Sequence, residues 1–219
     1  MVQFRIVLLT ASACLSATFA QAQSVGETTV GGGLTLFGPS LQGTYQIEPN
    51  VRLRGLAIGG LSYTDMDSDD DGNQYAIDLD VAAAAILVDH YPQGEGWRLS
   101  GGFLFNLSDL QATGTGEADE PFEINGQIFD GGSVLGEGEF RRSIAPMVTV
   151  GYDHPLSENW ILGADVGAIY TGGFDTTFTA NSAALQTEVD NSEDFQDFTD
   201  EARSYPFLPY VGVTVSFRF

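Results

Sequence analysis

The densest cluster of chemistry-bearing side chains is Asp65-Met66-Asp67-Ser68-Asp69-Asp70-Asp71-Gly72-Asn73. Asp67, Asp69 and Asp71 alternate ahead of a glycine, a spacing that lets carboxylates converge on one hard cation; Ca2+ takes about six to eight oxygens. Asp78 stands at the twelfth position counted from Asp67, where a calcium loop places its bidentate acid. It is Asp rather than Glu, Gln74 occupies a position that is usually apolar, and residues from 74 onward read as strand. An EF-hand is therefore excluded. Two readings of Asp67, Asp69, Asp71 and Asp78 stay open: a loop ordered by Ca2+, or a solvated acidic hairpin tip.

Acid–base chemistry has little to work with. The two histidines, His90 and His154, both lie beside short turns. His90 follows Asp89, yet no convincing nucleophile accompanies it, and neither G-x-S-x-G nor H-E-x-x-H occurs. No enzyme and no cofactor is expected beyond Ca2+ in the loop 65–73. Other charges recur at alternate positions inside apolar segments: Arg52, Arg54, Asp78, Asp80, Arg98, Asp153, Asp165 and Arg218. Charges that share one face with this period must be paired or hydrated.

The elements that carry these residues follow from the composition. The 219 residues hold 30 Asp and Glu against 8 bases, a net charge of -22. All the bases are arginine, and so acidic a chain repels phosphate polymers, which argues against nucleic acid as a partner. With 43% apolar residues the chain is too hydrophobic for disorder, and its 27 glycines and 15 phenylalanines suit strands and turns. Residues 1–22 read as a secretory signal: Arg5, an apolar stretch from Ile6 to Ala13, then Ala20-Gln21-Ala22 as a small-x-small cleavage site. Cys14, the single cysteine, falls inside it; Ala11 stands where a lipoprotein acceptor site has leucine.

Beyond the signal no apolar run reaches the length of a membrane helix; the longest, Val81 to Val88, has eight residues. Strict alternation dominates instead. Val51, Leu53, Ala57, Leu61 and Tyr63 alternate with Arg52, Arg54 and Ser62. Tyr75, Ile77, Leu79, Val81, Ala83, Ala85 and Leu87 form a second apolar set, opposite Asp78 and Asp80. Trp97, Leu99, Phe103 and Phe105 face away from Arg98 and Ser100. The pattern continues through Ile144–Tyr152, Trp160–Tyr170 and Val211–Phe219. Eight strands are predicted, at 27–37, 40–48, 51–63, 74–90, 97–109, 143–154, 160–172 and 205–219, with the first turn at Gly38-Pro39.

Such run lengths fit tilted membrane strands of about 9–11 residues, and the aromatics gather at strand ends. Tyr45, Trp97, Tyr152, Trp160, Phe217 and Phe219 mark one end, and Tyr63, Tyr75, Phe105, Tyr170 and Phe207 the other, as two membrane interfaces select. Short connections at 48–50, 92–96 and 155–159 alternate with long ones at 64–73, 110–142 and 173–204, which hold 20 of the 30 acids. The fold class expected over 23–219 is therefore an all-β antiparallel transmembrane β-barrel, with short periplasmic turns and three long acidic outer loops. A soluble β-sandwich also alternates, but it gives no reason for two aromatic belts. By parity the lumen receives Arg52, Arg54, Asp78, Asp80, Arg98, Asp153, Asp165 and Arg218. Within 182–203, Leu185 with Val189 and Phe195 with Phe198 suggest short helical turns over the barrel mouth.

Phe219, with Phe217, Val215 and Val213 at two-residue spacing, resembles the C-terminal targeting strand of bacterial outer-membrane proteins. The mature chain resembles small eight-stranded barrels such as the OmpA transmembrane domain and the OmpW family. Tyr45-Gln46-Ile47, Val51-Arg52-Leu53-Arg54 and Asp89-His90-Tyr91-Pro92 resemble turn and strand units of small alphaproteobacterial barrels. The resemblance implies an outer-membrane location, recognition of the last strand by the barrel-assembly machinery, contact with lipid and lipopolysaccharide, and a monomer. Arg141 and Arg142 can meet lipopolysaccharide phosphate directly. Three roles remain open: a structural barrel that conducts little, a narrow gated pore or OmpW-like transporter of small or apolar solutes, and surface adhesion through the long loops.

Overall fold

A computed structural model describes residues 24–68, 74–94, 96–106, 109–115, 122–124, 127–129 and 132–219, with backbone alone for 60–68, 74–80, 106, 109–115 and 122–123. The signal segment 1–22 and Asp69 and Asp71 of the acidic loop lie outside the described residues. The elements run β1 (Thr28–Thr35), β2 (Gly38–Glu48), β3 (Val51–Ser68), β4 (Gln74–His90), β5 (Trp97–Asn106), β6 (Asp109–Thr115), β7 (Phe122–Ile124), β8 (Gln127–Phe129), β9 (Ser133–Phe140), β10 (Ile144–Pro155), β11 (Trp160–Tyr170), β12 (Phe174–Ala180), α1 (Ala183–Asn191), α2 (Glu193–Ser204) and β13 (Phe207–Arg218).

Eight of these strands, β1, β2, β3, β4, β5, β10, β11 and β13, pair antiparallel in a ring. It closes where β13 returns to β1, with Gly32 opposite Val215 and Leu34 opposite Val213. They correspond to the eight predicted segments. Alternation explains the ring: on β10, Ile144, Val148, Val150 and Tyr152 point outward while Ala145, Met147, Thr149 and Asp153 are buried inside. The outer wall carries Leu34 and Leu41, each 68% exposed, and Val148 at 61%. An apolar belt of this kind, left in water, costs on the order of tens of kcal/mol at about 25 cal/mol per Å2.

The first turn differs from the predicted Gly38-Pro39. Leu36 and Phe37 make it, between the paired Thr35 and Gly38. The Thr35 hydroxyl accepts from the Phe37 amide (3.1 Å) and donates to the Gly38 carbonyl (2.9 Å). Gly38, at φ +114°, takes the left-handed conformation that ends the turn, so Pro39 already lies in β2 opposite Leu34.

The phase predicted for β4 is corrected. Ala83, Ala85 and Leu87 are buried in the lumen, whereas Ile86 and Val88 face outward. In an alanine-rich run both faces are apolar, so alternation carries no phase of its own. The lumen at this level is apolar as well, packed with Leu56, Ile58, Leu104, Ala145, Met147, Ile169 and Tyr210. The pairing of β3 with β4 also skips a residue of β3 between Gly59 and Leu61, and a bulge of this kind shifts the phase along its strand.

Beyond the ring the long connections are folded. Ala83–His90 of β4 pairs with β5, while Gln74–Asp80 pairs with β6, which carries β9 and then β12 outward as a sheet extension. Where short helical turns were expected within 182–203, two helices form at 183–191 and 193–204, packed chiefly on β12 and each other. Ser182 caps α1, its hydroxyl accepting from the Leu185 amide at 3.2 Å. Leu185 and Val189 bury against Ile124, Val134, Phe129, Phe178 and Phe195, a second core separate from the barrel's.

Ring closure depends on close approach at Gly33. A Cβ there would run into the Val213 carbonyl and Thr214, whereas at Gly32 its nearest neighbours would be Ser40 O at 3.5 Å and Leu41 Cδ2 at 3.6 Å. Gly33→Val is expected to abolish the mobility difference between unheated and boiled samples on a denaturing gel, and Gly32→Val to retain it.

Candidate functional site

The inward faces of the strands near their short turns gather a chain of alternating charges. Arg54 links two carboxylates, Nη2 to Asp89 Oδ1 (2.9 Å) and Nη1 to Asp165 Oδ2 (3.0 Å). Arg98 shares Asp165 through Nη2 at 2.6 Å and continues to Asp153 through Nη1. Arg52 closes the sequence on Asp153 Oδ2 at 3.4 Å. The order is Asp89, Arg54, Asp165, Arg98, Asp153, Arg52: three cations and three anions, net zero, every side chain at most 9% exposed. Alternation places an opposite charge beside each buried ion, the condition under which desolvation is offset.

Neutral groups complete the layer. Tyr91 donates to Asp153 at 2.7 Å, and the Arg52 guanidinium lies over its ring, 4.9 Å from the centroid. Arg52 Nε donates to Gln46 (3.1 Å), Arg54 to Ser100 (3.0 Å), and Thr149 to Asp165 (3.3 Å). Gln42 donates to Thr214 and Ser216 at 3.2 and 3.0 Å. Arg98 passes over bare backbone: a Cβ on Gly151 would fall 2.8 Å from its Nε, and one on Gly163 only 3.0 Å from Asp153 Oδ1. The glycines thus form the floor on which this guanidinium lies between its two carboxylates.

Between Gln42, Thr44, Arg52, Asp89 and Thr214 about 10 Å3 of cavity remains, enough for about one water. Toward the loop end the apolar layer around Leu56, Ile58, Leu87, Leu104 and Met147 fills the lumen. The arrangement has its charges neutralised by one another and its hydrogen bonds directed inward. Its charged side chains reach across the inside of the barrel from β3, β4, β5, β10 and β11.

The predicted lumen residues divide. Arg52, Arg54, Arg98 and Asp165 meet in this chain, joined by Asp153. The side chains of Asp78 and Asp80 lie outside the described residues. Asp89 and Tyr91 were missed because the assumed phase of β4 pointed odd positions outward. A lone carboxylate inside an apolar strand was the available signal: placing Asp89 inward also places Leu87, Ala85 and Ala83 inward. For the Ca2+ candidates, Asp67 and Asp78 are described by backbone only, on paired β3 and β4. Among the described residues no three His, Cys, Asp or Glu side chains converge as metal ligands. His90 and His154 are exposed on the outer wall.

Of the aromatics, Trp97 packs edge-on to Tyr152, and Trp160 to Phe217, each at 5.2 Å, with Phe219 beyond and Tyr45 exposed toward the same end. Tyr170 meets Phe207 at 5.1 Å at the other end. The side chain of Tyr63 lies outside the described residues.

No family model matches the sequence, and no curated protein matches it. Solved structures do. The crystal structure of Acinetobacter baumannii CarO is 21% identical, with a TM-score of 0.60 over 91% of this chain and 100% of that one. That of Acinetobacter baumannii CarO2 is also 21% identical, with a TM-score of 0.59 over 90% of this chain and 100% of the other. At this identity the likeness is one of fold.

Removing the central cation leaves Asp153 and Asp165 short of a partner in a buried layer. Arg98→Ala is expected to lower stability by about 3–5 kcal/mol, read from the urea midpoint of the refolded barrel. Arg203→Ala, which breaks a half-exposed pair with Asp175, should shift it by no more than about 1 kcal/mol.

Proposed function

We propose that this chain is a bacterial outer-membrane barrel with a closed lumen, acting as a structural anchor that carries a folded acidic module on the cell surface. The observation that carries the reading is the neutral chain from Asp89 to Arg52 stacked beneath an apolar layer. The exposed apolar wall supports the bilayer location, since acyl chains are the solvent that makes such a wall favourable. The paired aromatics at both ends support it too. In this reading the short turns and both chain ends face the periplasm, and the sheet extension with α1 and α2 stands outside. The small-barrel resemblance of the last strand, ending in Phe219, fits delivery by the assembly machinery to a monomeric, non-catalytic barrel. Acidic side chains of the long loops would hold divalent cations against neighbouring lipopolysaccharide, with Ca2+ at loop 65–73 as one such contact.

Planar-bilayer recording tests the closed lumen. The purified protein is expected to leave the bilayer current at baseline under applied voltage, and Arg54→Ala with Arg98→Ala together to leave it there too, because the apolar layer around Leu87 and Met147 still closes the lumen. Steady openings from the unaltered protein would favour a narrow pore for small solutes instead.

A further inference from the structure

Every arginine of the barrel interior is paired, and Arg218 at the turn end faces Glu27 at 2.9 Å. At the loop end, Arg141 and Arg203 both lean on Asp175, at 3.4 and 3.0 Å. Arg142 differs. Among the described residues it has no carboxylate partner, although the neighbouring connection 173–204 carries eight acids. Its guanidinium lies over the Tyr170 ring, 5.1 Å from the centroid, and Tyr170 in turn packs on Phe207. Gly172, at φ +78°, leaves room under the side chain: a Cβ there would be 3.4 Å from Arg142 Nε.

The platform is fixed by backbone. The Arg141 amide donates to Gly173 O (3.1 Å), and the amides of Thr171 and Gly172 to Pro206 O (2.9 and 3.2 Å). A guanidinium stacked on a ring keeps its N–H edges in one plane, available to a bidentate oxyanion. We infer that Arg142 is a binding site for the phosphate of an outer-leaflet lipid. The inference rests on the membrane reading above and adds a ligand to it. The aromatic rings beside Arg142 select the source: Tyr170 and Phe207 belong to the belt at headgroup depth, where a lipid supplies phosphate and acyl chain side by side. Free phosphate, by contrast, meets a strongly acidic surface that repels it.

The test uses the full mature barrel in neutral detergent micelles, with bound lipid counted by native mass spectrometry. Bisphosphorylated lipid A, lipid A stripped of both phosphates, and inorganic phosphate are the probes. Arg142→Ala is expected to weaken retention of bisphosphorylated lipid A about tenfold, the scale of one charged hydrogen-bonding contact. The stripped lipid should bind wild type and variant alike, and Arg142→Lys should recover only part of the loss. Equal retention by wild type and Arg142→Ala overturns the site. Displacement of the lipid by millimolar inorganic phosphate overturns the choice of a lipid source. Gel mobility before and after boiling, run on every sample, separates the two levels: a heat-modifiable protein that ignores lipid phosphate sinks this site alone, whereas a protein that stays folded and soluble without detergent sinks the membrane reading as well.

Discussion

An eight-stranded ring encloses a lumen about one layer of side chains wide, so whatever points inward must both fill it and neutralise it. This constraint governs the rest of the molecule. A buried guanidinium without a partner is among the costliest groups a fold can hold, and here each of three is matched by shared aspartates in one alternating chain. Apolar residues of equal volume could fill the same space at comparable stability. What the charges add is registration. Arg54 ties β3 to β4 and β11, and Arg98 ties β5 to β10 and β11. A slip of one residue on any of these strands would send a charge onto the apolar outer wall.

The lumen is therefore built in two halves with different physics. Near the short turns it is polar, cross-linked and directional; near the long connections it is apolar and held by packing around Leu87 and Met147. Glycine serves the polar half in a specific way, because Gly151 and Gly163 leave the width that the Arg98 guanidinium occupies. The outer wall repeats neither chemistry. Its side chains are apolar along the strands and aromatic at the ends, so the barrel turns an apolar surface outward and keeps its charges inside.

The loop end obeys a third set of rules. There β4 parts from β5 and takes β6 as its neighbour, which moves the sheet off the ring and gives α1 and α2 a surface to cover. The resulting module has its own small core and nearly all its charges acidic. α2 carries Glu193 and Asp194 in its first turn and Arg203 in its last, an order that complements the helix dipole. In such surroundings Arg142, resting on the Tyr170 ring with no carboxylate partner among the described residues, stands where the acidic module meets the apolar outer wall.

The sequence by itself determined the eight strands of the ring and most of their inward faces, because a period of two survives wherever one face is charged and the other apolar; the five further strands, β6 to β9 and β12, fall in stretches it read as loops. Arg52, Arg54, Arg98, Asp153 and Asp165 were all legible in that way. It failed on β4 for the same reason it succeeded elsewhere: between Val81 and Val88 both faces are apolar, and no contrast remains to set the phase. Only the tertiary structure decided that Asp89 belongs to the network. Only it decided which arginine meets which aspartate, since Arg54 and Asp165 stand 111 residues apart and come together through the closure and register of the ring. Pairing across a barrel depends on its curvature and stagger, and these are properties of all eight strands at once that no local spacing can encode.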